Sequence, residues 1–156
     1  MNKLLKLLLS IVFCEGVGIL GSISVIPAIT TWYPHLNKPS FNPPNWIFGP
    51  VWTTLYLLIG VVLYLILEKK LKKEKEIILI IFSIQLFLNF LWSIIFFGMH
   101  LPLAAFVEIA FLWGSIVWLV INLWRFSKLA SLILIPYLCW VSFAAILNLT
   151  VAILNP

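Results

Sequence analysis

The sequence predicts an all-α integral membrane protein with five transmembrane helices in one domain, residues 1–156. Of its 156 residues, 63% are hydrophobic and 10% are charged, so a water-soluble globule of this length could not bury its apolar side chains. The apolar runs are continuous and lack the alternation typical of strands, and helices satisfy their own backbone groups in lipid. The length suits five spans of about 20 residues with short connections. The predicted spans cover approximately residues 4–27, 46–67, 77–98, 102–124 and 129–154.

The first span carries a Gly-x-Gly-x-x-Gly pattern from Gly16 to Gly21, which suggests dinucleotide binding in a soluble protein. No strand precedes it and no acidic residue follows at the required distance, so we interpret the pattern as accidental. What remains is a face of small residues suited to close helix packing, with room for a ligand. This face comprises Gly18, Gly21, Ser22 and Val25.

Between the first two spans, residues 32–56 read WYPHLNKPSFNPPNWIFGPVWTTLY. Proline fixes φ and keeps the preceding residue out of the helical region, which predicts a stiff, non-helical cap over the first two thirds of this stretch. Stiff aromatic surface suits a flat apolar ligand, although any single ring is equally typical of a membrane interface. Six rings in one Pro/Trp-rich first loop favour a cap over a ligand pocket. The rings belong to Trp32, Tyr33, Phe41, Trp46, Phe48 and Trp52.

The later spans carry polar groups and indoles on defined faces. Gln85, Asn89 and Trp92 of the third span follow one another at spacings of four and three, so they lie on one helical face. Polar amides at that depth are expected to face protein. An equivalent stripe in the fifth span comprises Trp140, Ala144 and Asn148.

Basic residues are distributed unequally between the two sides of the membrane. Residues 68–76, between the second and third spans, carry half of the ten basic residues, which is typical of a solvated membrane-surface loop. The opposite side has only Lys38. By the positive-inside rule the N-terminus is cytoplasmic, and the cap and the C-terminus face outward. The net charge of +5 then reflects contact with the lipid bilayer rather than with nucleic acid. The cytoplasmic side collects Lys3, Lys6, Lys69, Lys70, Lys72, Lys73, Lys75, Arg125 and Lys128.

Glu15 and Glu108 are the two acidic residues inside apolar runs, and a carboxyl group at membrane depth is costly enough to be a functional candidate. Two interpretations remain open. Either carboxyl group couples a transported solute to protons, or it is protonated and hydrogen-bonded to a neighbouring helix. Glu108 lies about two turns into the fourth span, where it can also reach water or the polar edge of a ligand.

Ordinary catalytic and metal chemistry has little support. His35 and His100 lie near span ends, without the neighbours of a nucleophilic triad. Cys14 and Cys139 lie inside apolar runs and behave as small hydrophobes. The sequence offers no metal-ligand cluster, and no span holds a lysine for a retinal Schiff base. We therefore predict no metal and no required cofactor.

Three motifs together resemble one membrane protein family. They are the 32–56 stretch, LNFLW at 88–92 and PYLCWVSFAAILN at 136–148. They resemble the TspO/MBR family, which comprises the tryptophan-rich sensory proteins of bacteria and the translocator protein, or peripheral benzodiazepine receptor, of mitochondria. The resemblance covers the whole chain in order. It implies a five-helix bundle with a cavity under the first loop that binds porphyrins such as protoporphyrin IX, benzodiazepines and isoquinoline carboxamides.

By position, the resemblance also implies the site residues and a reaction. Family members are associated with light-dependent breakdown of protoporphyrin IX as a substrate, in which pocket tryptophans take part. The corresponding residues are Trp52 and Trp140, since an excited porphyrin with oxygen can oxidise a nearby indole. The implied ligand-binding residues are Ser22, Val25, Phe48, Val51, Trp52, Asn89, Trp92, Val107, Phe111, Trp140, Ala144 and Leu147.

Two departures from the family pattern bear on sterols and on dimers. Animal members carry a sterol-recognition pattern after the Leu-Asn pair, whereas Leu149 follows Asn148 here and no basic residue comes after it. Sterol binding is therefore not expected. The family tends to form homodimers through small residues, but the third span has no glycine before Gly98, which leaves the dimer surface unassigned.

Three functions are compatible with these residues. The first is a membrane receptor for tetrapyrroles with photo-oxidative activity toward them. The second is a transporter of porphyrin or other amphipathic solutes, coupled to protons through Glu15 or Glu108. The third is a sensor or scaffold whose ligand changes its association with a partner.

Overall fold

The computed structural model describes residues 2–70 and 72–156, and this part of the chain contains helices and short connections without strands. Met1, Leu71 and the side chain of Lys72 belong to the predicted domain but lie outside the described residues. Five helical segments are long and apolar enough to cross a bilayer, which confirms the predicted fold class. The helices are α1 (Lys3–Thr31), α2 (Asn45–Glu68), α3 (Lys72–Ser93), which continues as one π-helical turn (Ile94–Gly98), α4 (Pro102–Phe126), α5 (Lys128–Ile133) and α6 (Ile135–Leu154).

The first helix is longer than predicted, because α1 continues through Pro27 to Thr31. A proline inside a helix removes one backbone donor, and membrane helices tolerate this when nearby hydroxyl groups satisfy the backbone. Thr30 and Thr31 both donate their hydroxyls to the Pro27 carbonyl, at 3.1 and 2.7 Å. These bonds reinforce the last turn of α1 beyond the predicted end, whereas the carbonyl that Pro27 leaves without its donor is that of Ile23, one turn earlier.

The charged connection between α2 and α3 is shorter than the predicted loop, because α3 already begins at Lys72. Lys75 holds the end of α2 by donating to the carbonyls of Leu67 and Lys69, at 2.8 and 3.2 Å. Nearby, the Lys6 ammonium lies 2.7 Å from the Glu68 carboxylate. We call this end of the bundle, where α1 and α3 begin and α2 and α4 end, the lysine end.

Tight packing fills the half of the bundle next to the lysine end. Gly60 of α2 lies so close to α1 that a Cβ atom there would be 2.6 Å from the Ile11 Cα. Only glycine permits that backbone approach. The helices pack as a ring in the order α1, α2, the fifth span, α4 and α3. The fully buried side chains of this half include Ile59, Val62, Ile66, Leu119 and Leu123.

The opposite end is closed by residues 32–44, which we call the cap. It holds one short helical turn, Tyr33–His35, and otherwise lacks regular structure, in agreement with its prolines. The Lys38 ammonium donates to three cap carbonyls, those of Tyr33, Pro34 and Leu36, at 2.8, 3.2 and 2.9 Å. The single charge of the cap therefore stabilises the conformation of the cap itself.

The cap is also tied to the C-terminus of the chain. The Asn37 backbone N–H donates to the Asn155 side-chain oxygen at 2.9 Å, and the Asn155 amide donates back to the Asn37 carbonyl at 2.9 Å. Beside this pair, Trp32 stacks on His100 of the α3–α4 connection, with ring centroids 4.4 Å apart. Contacts from the C-terminus and from the α3–α4 connection thus hold the cap over the bundle.

Candidate ligand-binding site

A cavity of about 470 Å³ lies in the half of the bundle beneath the cap. Its lining comes from α1, the cap, α2, α3 with its π-helical turn, and α6. Aromatic side chains dominate it, and indoles approach it from three of these helices. The lining aromatic residues are Tyr33, Trp46, Phe48, Trp52, Tyr56, Trp92, Phe96, Phe97 and Trp140.

Helices α1 and α2 form the wall on which the cavity opens sideways. They converge at Gly18, where a Cβ atom would be 2.6 Å from ring carbons of Tyr56. Toward the cap they separate, and the lining residues along this gap are strongly exposed, with Ile19 at 65%, Ile26 at 66% and Trp46 at 73%. The cavity therefore opens between α1 and α2 onto the surface that faces lipid in a membrane-spanning bundle.

Tyr33 forms part of the roof and is only 2% exposed. Its hydroxyl donates to the Asn42 side-chain oxygen at 2.6 Å, and its ring contacts Phe48 and Phe97 with centroids 6.4 and 5.8 Å apart. Burial raises the pKa of the Tyr33 phenol to about 12, and the hydrogen bond to Asn42 only partly opposes that change. The Tyr33 phenol is therefore neutral, and contacts from Asn42, Phe48 and Phe97 fix its position.

A chain of buried polar groups runs across the bundle from the inner end of the cavity. The Tyr56 hydroxyl donates to the Asn89 side-chain oxygen at 2.6 Å, and the Asn89 amide donates to the Tyr137 hydroxyl at 2.7 Å. Tyr137 in turn donates to the Gln85 side-chain oxygen at 3.0 Å. Because both ends of the Asn89 amide are engaged, its orientation is determined, and α2, α3 and α6 are joined at this level.

A second set of polar contacts fixes Trp92 in the wall. The Trp92 indole N–H donates to the Asn148 side-chain oxygen at 2.9 Å, and the Asn148 amide donates to the Pro102 carbonyl at 2.7 Å. The Trp92 ring stacks on Phe96 with centroids 5.3 Å apart. The predicted stripes of the third and fifth spans therefore meet in the structure and join at this indole.

Trp140 and Trp52 approach the cavity from α6 and α2. Trp140 packs edge-on against Phe48, with ring centroids 6.2 Å apart at 70°, while Trp52 lies 5.9 Å from the ring of Tyr56. The Trp140 indole nitrogen is buried and has no hydrogen-bond partner among the described residues. A buried donor without a partner costs free energy, so this nitrogen is a local weak point in the packing of α6.

The two carboxyl groups inside the apolar runs have different surroundings. Glu15 lines the inner end of the cavity and is partly exposed. Glu108 is 7% exposed on α4, and within the described chain neither of its carboxyl oxygens has a hydrogen-bond partner. In the described part of the chain α4 adds nothing to the cavity lining. Only Glu15 of the two can therefore contact a molecule in the cavity.

Nine of the twelve predicted ligand-binding residues line the cavity. They come from four helices, which bring together side chains far apart in sequence. The remaining three, Val51, Val107 and Phe111, lie outside the lining. The nine are Ser22, Val25, Phe48, Trp52, Asn89, Trp92, Trp140, Ala144 and Leu147.

The packing of the helices explains why these three residues lie outside the cavity lining. Val51 packs against the core beside Trp52 instead of facing the cavity. On α4, the interior is occupied by the face that contains Glu108, Ile109 and Leu112, so the opposite face points outward. Val107 and Phe111 lie on this outer face and are 54% and 67% exposed.

Several lining residues were absent from the predicted set. On α1, the lining positions follow helical spacing from Glu15 through Gly18, Ser22 and Val25 to Ile29, and this spacing was the signal that could have identified the additional positions. Tyr33 was recognised as part of the cap but not as a lining residue. Phe96 and Phe97 were missed because the π-helical turn at the end of α3 changes which side chains face inward.

The described residues contain no group of three or more His, Cys, Asp or Glu side chains able to hold a metal ion. His100, which the sequence placed at a span end, stacks on Trp32 and has a positive φ of 58°. It serves the connection between α3 and α4 and lies outside the cavity lining.

Together, the five apolar helices, the proline-rich cap and the tryptophan-lined cavity define a multi-pass membrane protein with a small-molecule-sized pocket. A family model described as the TspO/MBR family matches residues 10–154. The chain belongs to this family, as its motifs predicted.

Relatives match along most or all of their length. The tryptophan-rich protein TspO of Chlorobaculum tepidum is 48% identical over 158 aligned positions that cover both chains completely. That of Archaeoglobus fulgidus is 44% identical over 98% of this chain and 99% of its own. The human translocator protein is 39% identical over 75% of this chain and 70% of its own.

Proposed function

We propose that this protein is a membrane receptor that binds tetrapyrroles such as protoporphyrin IX, and benzodiazepine-like or isoquinoline carboxamide ligands, in the cavity beneath the cap. The observation that carries the proposal is the aromatic lining of a cavity of about 470 Å³. Pockets for drug-sized ligands occupy about 300–1,000 Å³ and combine apolar walls with a few placed polar groups. Glu15, Ser22 and Thr53 line the cavity, are not buried, and supply such polar groups here.

The arrangement of rings suits a flat ligand in particular. Trp52 and Trp140 line the cavity from different helices, and offset or edge-on contacts between aromatic systems are favourable at centroid separations of about 4.5–7 Å. A third indole, that of Trp92, is held in place by its hydrogen bond to Asn148. Because this part of the wall is already ordered, ligand binding does not have to order it.

We further propose that illumination of bound porphyrin in air leads to its oxidative breakdown, with Trp52 and Trp140 taking part. An excited porphyrin transfers energy or an electron to dioxygen, and an indole held beside it is readily oxidised. Light and dioxygen are the co-reactants, and the reaction requires no metal or resident cofactor. The lining position of both indoles supports this role.

Titration of the full-length protein with protoporphyrin IX, followed by tryptophan fluorescence, tests the binding part of the proposal. Saturable quenching is expected, weaker in Trp52→Phe and Trp140→Phe and unchanged in Trp118→Phe, whose side chain is 52% exposed outside the lining. Quenching that rises linearly without saturation would contradict binding in the cavity.

Absorbance of the bound porphyrin under illumination tests the photochemical part separately. The porphyrin band should decline in air and persist under argon, and Trp140→Phe should slow the decline while retaining most binding. A decline at the parental rate in both Trp52→Phe and Trp140→Phe would show that the indoles play no part, and would leave a receptor.

One observation favours proton-coupled transport as a second candidate function, namely that Glu15 lines the cavity. A carboxyl group that lines a solute-binding cavity can release its proton when the solute binds and take up a proton when the solute leaves. Uptake of porphyrin into proteoliposomes under an imposed proton gradient should then disappear in Glu15→Gln and persist in Glu108→Gln. Equal uptake by all three proteins at every pH would exclude this coupling.

We propose that the protein resides in a bacterial inner membrane with the N-terminus in the cytoplasm. The concentration of Lys3, Lys6 and Lys75 at one end of the bundle supports this orientation. A C-terminal alkaline phosphatase fusion should be active and a C-terminal green fluorescent protein fusion dark. The reverse pattern would invert the orientation. Homodimer formation stays a prediction, which mass photometry in nanodiscs can test.

A further inference from the structure

Glu15 occupies an unusual position in both the membrane and the cavity. It is the thirteenth of the 29 residues of α1, so it lies about 18 Å along the helix from Lys3, near mid-depth. It lines the inner end of the cavity and remains partly exposed. A carboxyl group at that depth is costly unless a positive charge or a proton neutralises it.

The described residues that line the cavity supply no positive charge for Glu15. Among the described lining residues there is no lysine, arginine or histidine. The ammonium of Lys6, nearest to it along α1, is paired with Glu68 at 2.7 Å. Lys38, at the far end, donates to three carbonyls of the cap. The acidic group therefore faces the cavity without a counter-charge from the lining.

Neighbouring described side chains do not stabilise the Glu15 carboxyl group by donating hydrogen bonds to it either. The adjacent Tyr56 hydroxyl has one proton, and it donates that proton to Asn89 at 2.6 Å. Among the hydrogen bonds of the described residues none involves the Glu15 carboxyl group. The rings of Tyr56 and Trp52, with centroids 5.9 Å apart, line the cavity beside it, and aromatic faces attract cations.

From these contacts we propose that the cavity selects amphipathic aromatic ligands that carry a positive charge, with Glu15 as the counter-charge at its inner end. The inference rests on the proposed function, since it takes this cavity as the binding site. The cationic group lies beside Glu15 and the ring system extends toward the cap between Trp52 and Trp140. A ligand with carboxylates, such as protoporphyrin IX, binds with them directed away from Glu15, toward the cap.

Three derivatives of one ring system test this selectivity. They are protoporphyrin IX, its neutral dimethyl ester, and an amide derivative carrying a permanently charged quaternary ammonium group. Each is titrated into full-length protein in nanodiscs of neutral phosphatidylcholine, which avoids accumulation of cations at a charged bilayer, and binding is read from tryptophan fluorescence. The parent, Glu15→Gln and Glu108→Gln are compared, the last as a control that removes a buried carboxyl group outside the lining.

The parent is expected to bind the cationic derivative about tenfold more tightly than the ester. Glu15→Gln should bring these two affinities within about twofold and strengthen binding of protoporphyrin IX, while Glu108→Gln keeps the parental order. The ester, which is uncharged, serves as an internal check that each variant is folded.

Two results would overturn the inference. Equal affinity of the parent for the cation and the ester would do so without any variant, and so would a cation preference that survives in Glu15→Gln. In both cases saturable binding of the ester would leave the cavity standing as the binding site. Failure of all three derivatives to saturate would instead overturn the proposed function.

Discussion

The two halves of the bundle are built from the same five apolar helices but pack in different ways. Near the lysine end, aliphatic side chains such as Ile59 and Leu119 are fully buried, and Gly60 brings two helix backbones together. Beneath the cap, α1 and α2 separate and aromatic rings surround a cavity. The aliphatic side chains in the middle of the first half pack at the density of a protein interior, and a shallow groove of about 320 Å³ remains toward its surface, between residues such as Phe13, Leu63 and Leu79.

This difference shows how a continuous apolar chain can assign stability to one region and binding to another. The polar chain from Tyr56 to Gln85 lies where the two halves meet. Its hydrogen bonds fix α2, α3 and α6 relative to one another at the level where the closely packed aliphatic core ends and the cavity begins. The inner end of the cavity is therefore formed by polar residues whose positions depend on the packing of the lysine-end half.

The largest expected effect comes from Gly60→Ala, which tests the tightness of the lysine-end half. A Cβ atom there would lie 2.6 Å from the Ile11 backbone, so α1 must move away. We expect a loss of about 2–3 kcal/mol in the free energy of unfolding, measured by titration with SDS. Gly114→Ala is the control, since nothing lies within 4 Å of its Cβ position. Equal stability of the two variants would contradict close packing of α1 on α2.

A smaller effect is expected from Tyr137→Phe, at the boundary between the halves. The variant leaves the Asn89 amide and the Gln85 oxygen without their partner in a buried site. The expected loss of unfolding free energy is about 1–2 kcal/mol. Tyr64→Phe, at a half-buried position, should change little. A parental stability for Tyr137→Phe would mean that the polar chain does not join the helices.

The cap should respond to Lys38→Met with a change in binding rather than in global stability. Removing three hydrogen bonds to the cap carbonyls loosens the roof, so bound porphyrin should dissociate faster. We expect affinity to fall roughly threefold to tenfold, as about 1 kcal/mol implies. Stopped-flow dissociation measures it, with Lys73→Met at an exposed position of the lysine end as control. An unchanged dissociation rate in Lys38→Met would show that the conformation of the cap does not control how long the ligand stays bound.

The smallest effect is expected from Glu68→Gln, which removes the ion pair with Lys6. Ion pairs in contact with solvent contribute little because water screens both charges. The unfolding midpoint should therefore not change resolvably, in low or high salt. A clear loss of stability would show that the lysine end is held by charge as well as by packing.

Most of the fold was predictable because a bilayer makes apolar helices visible as continuous runs of sequence. The helix ends were less so. Pro27 indicated an end of α1, yet the helix continues to Thr31, and its last turn is reinforced by the Thr30 and Thr31 hydroxyls that donate to the Pro27 carbonyl. The pairing of Asn37 with Asn155 joins residues from opposite parts of the chain, and no local pattern marks such a contact.

The site was predictable where polar or aromatic residues mark the inner face of a helix. Asn89 and Trp140 have this property, and both line the cavity. On α4 nearly every position is apolar, so periodicity does not distinguish its faces. Val107 was assigned by the resemblance alone, and the structure places it outside the cavity lining with its side chain 54% exposed. Glu108 was the one available marker, because a carboxyl group turned inward places Val107 on the outer side.

The sideways opening between α1 and α2 determines how affinity has to be expressed. Ile19, Ile26 and Trp46 border this opening and are all more than half exposed. An apolar ligand that enters there arrives from the hydrocarbon, after partitioning from water. Occupancy then follows the mole fraction of ligand in the lipid, so an apparent dissociation constant quoted per litre of buffer shifts with the amount of lipid in the sample.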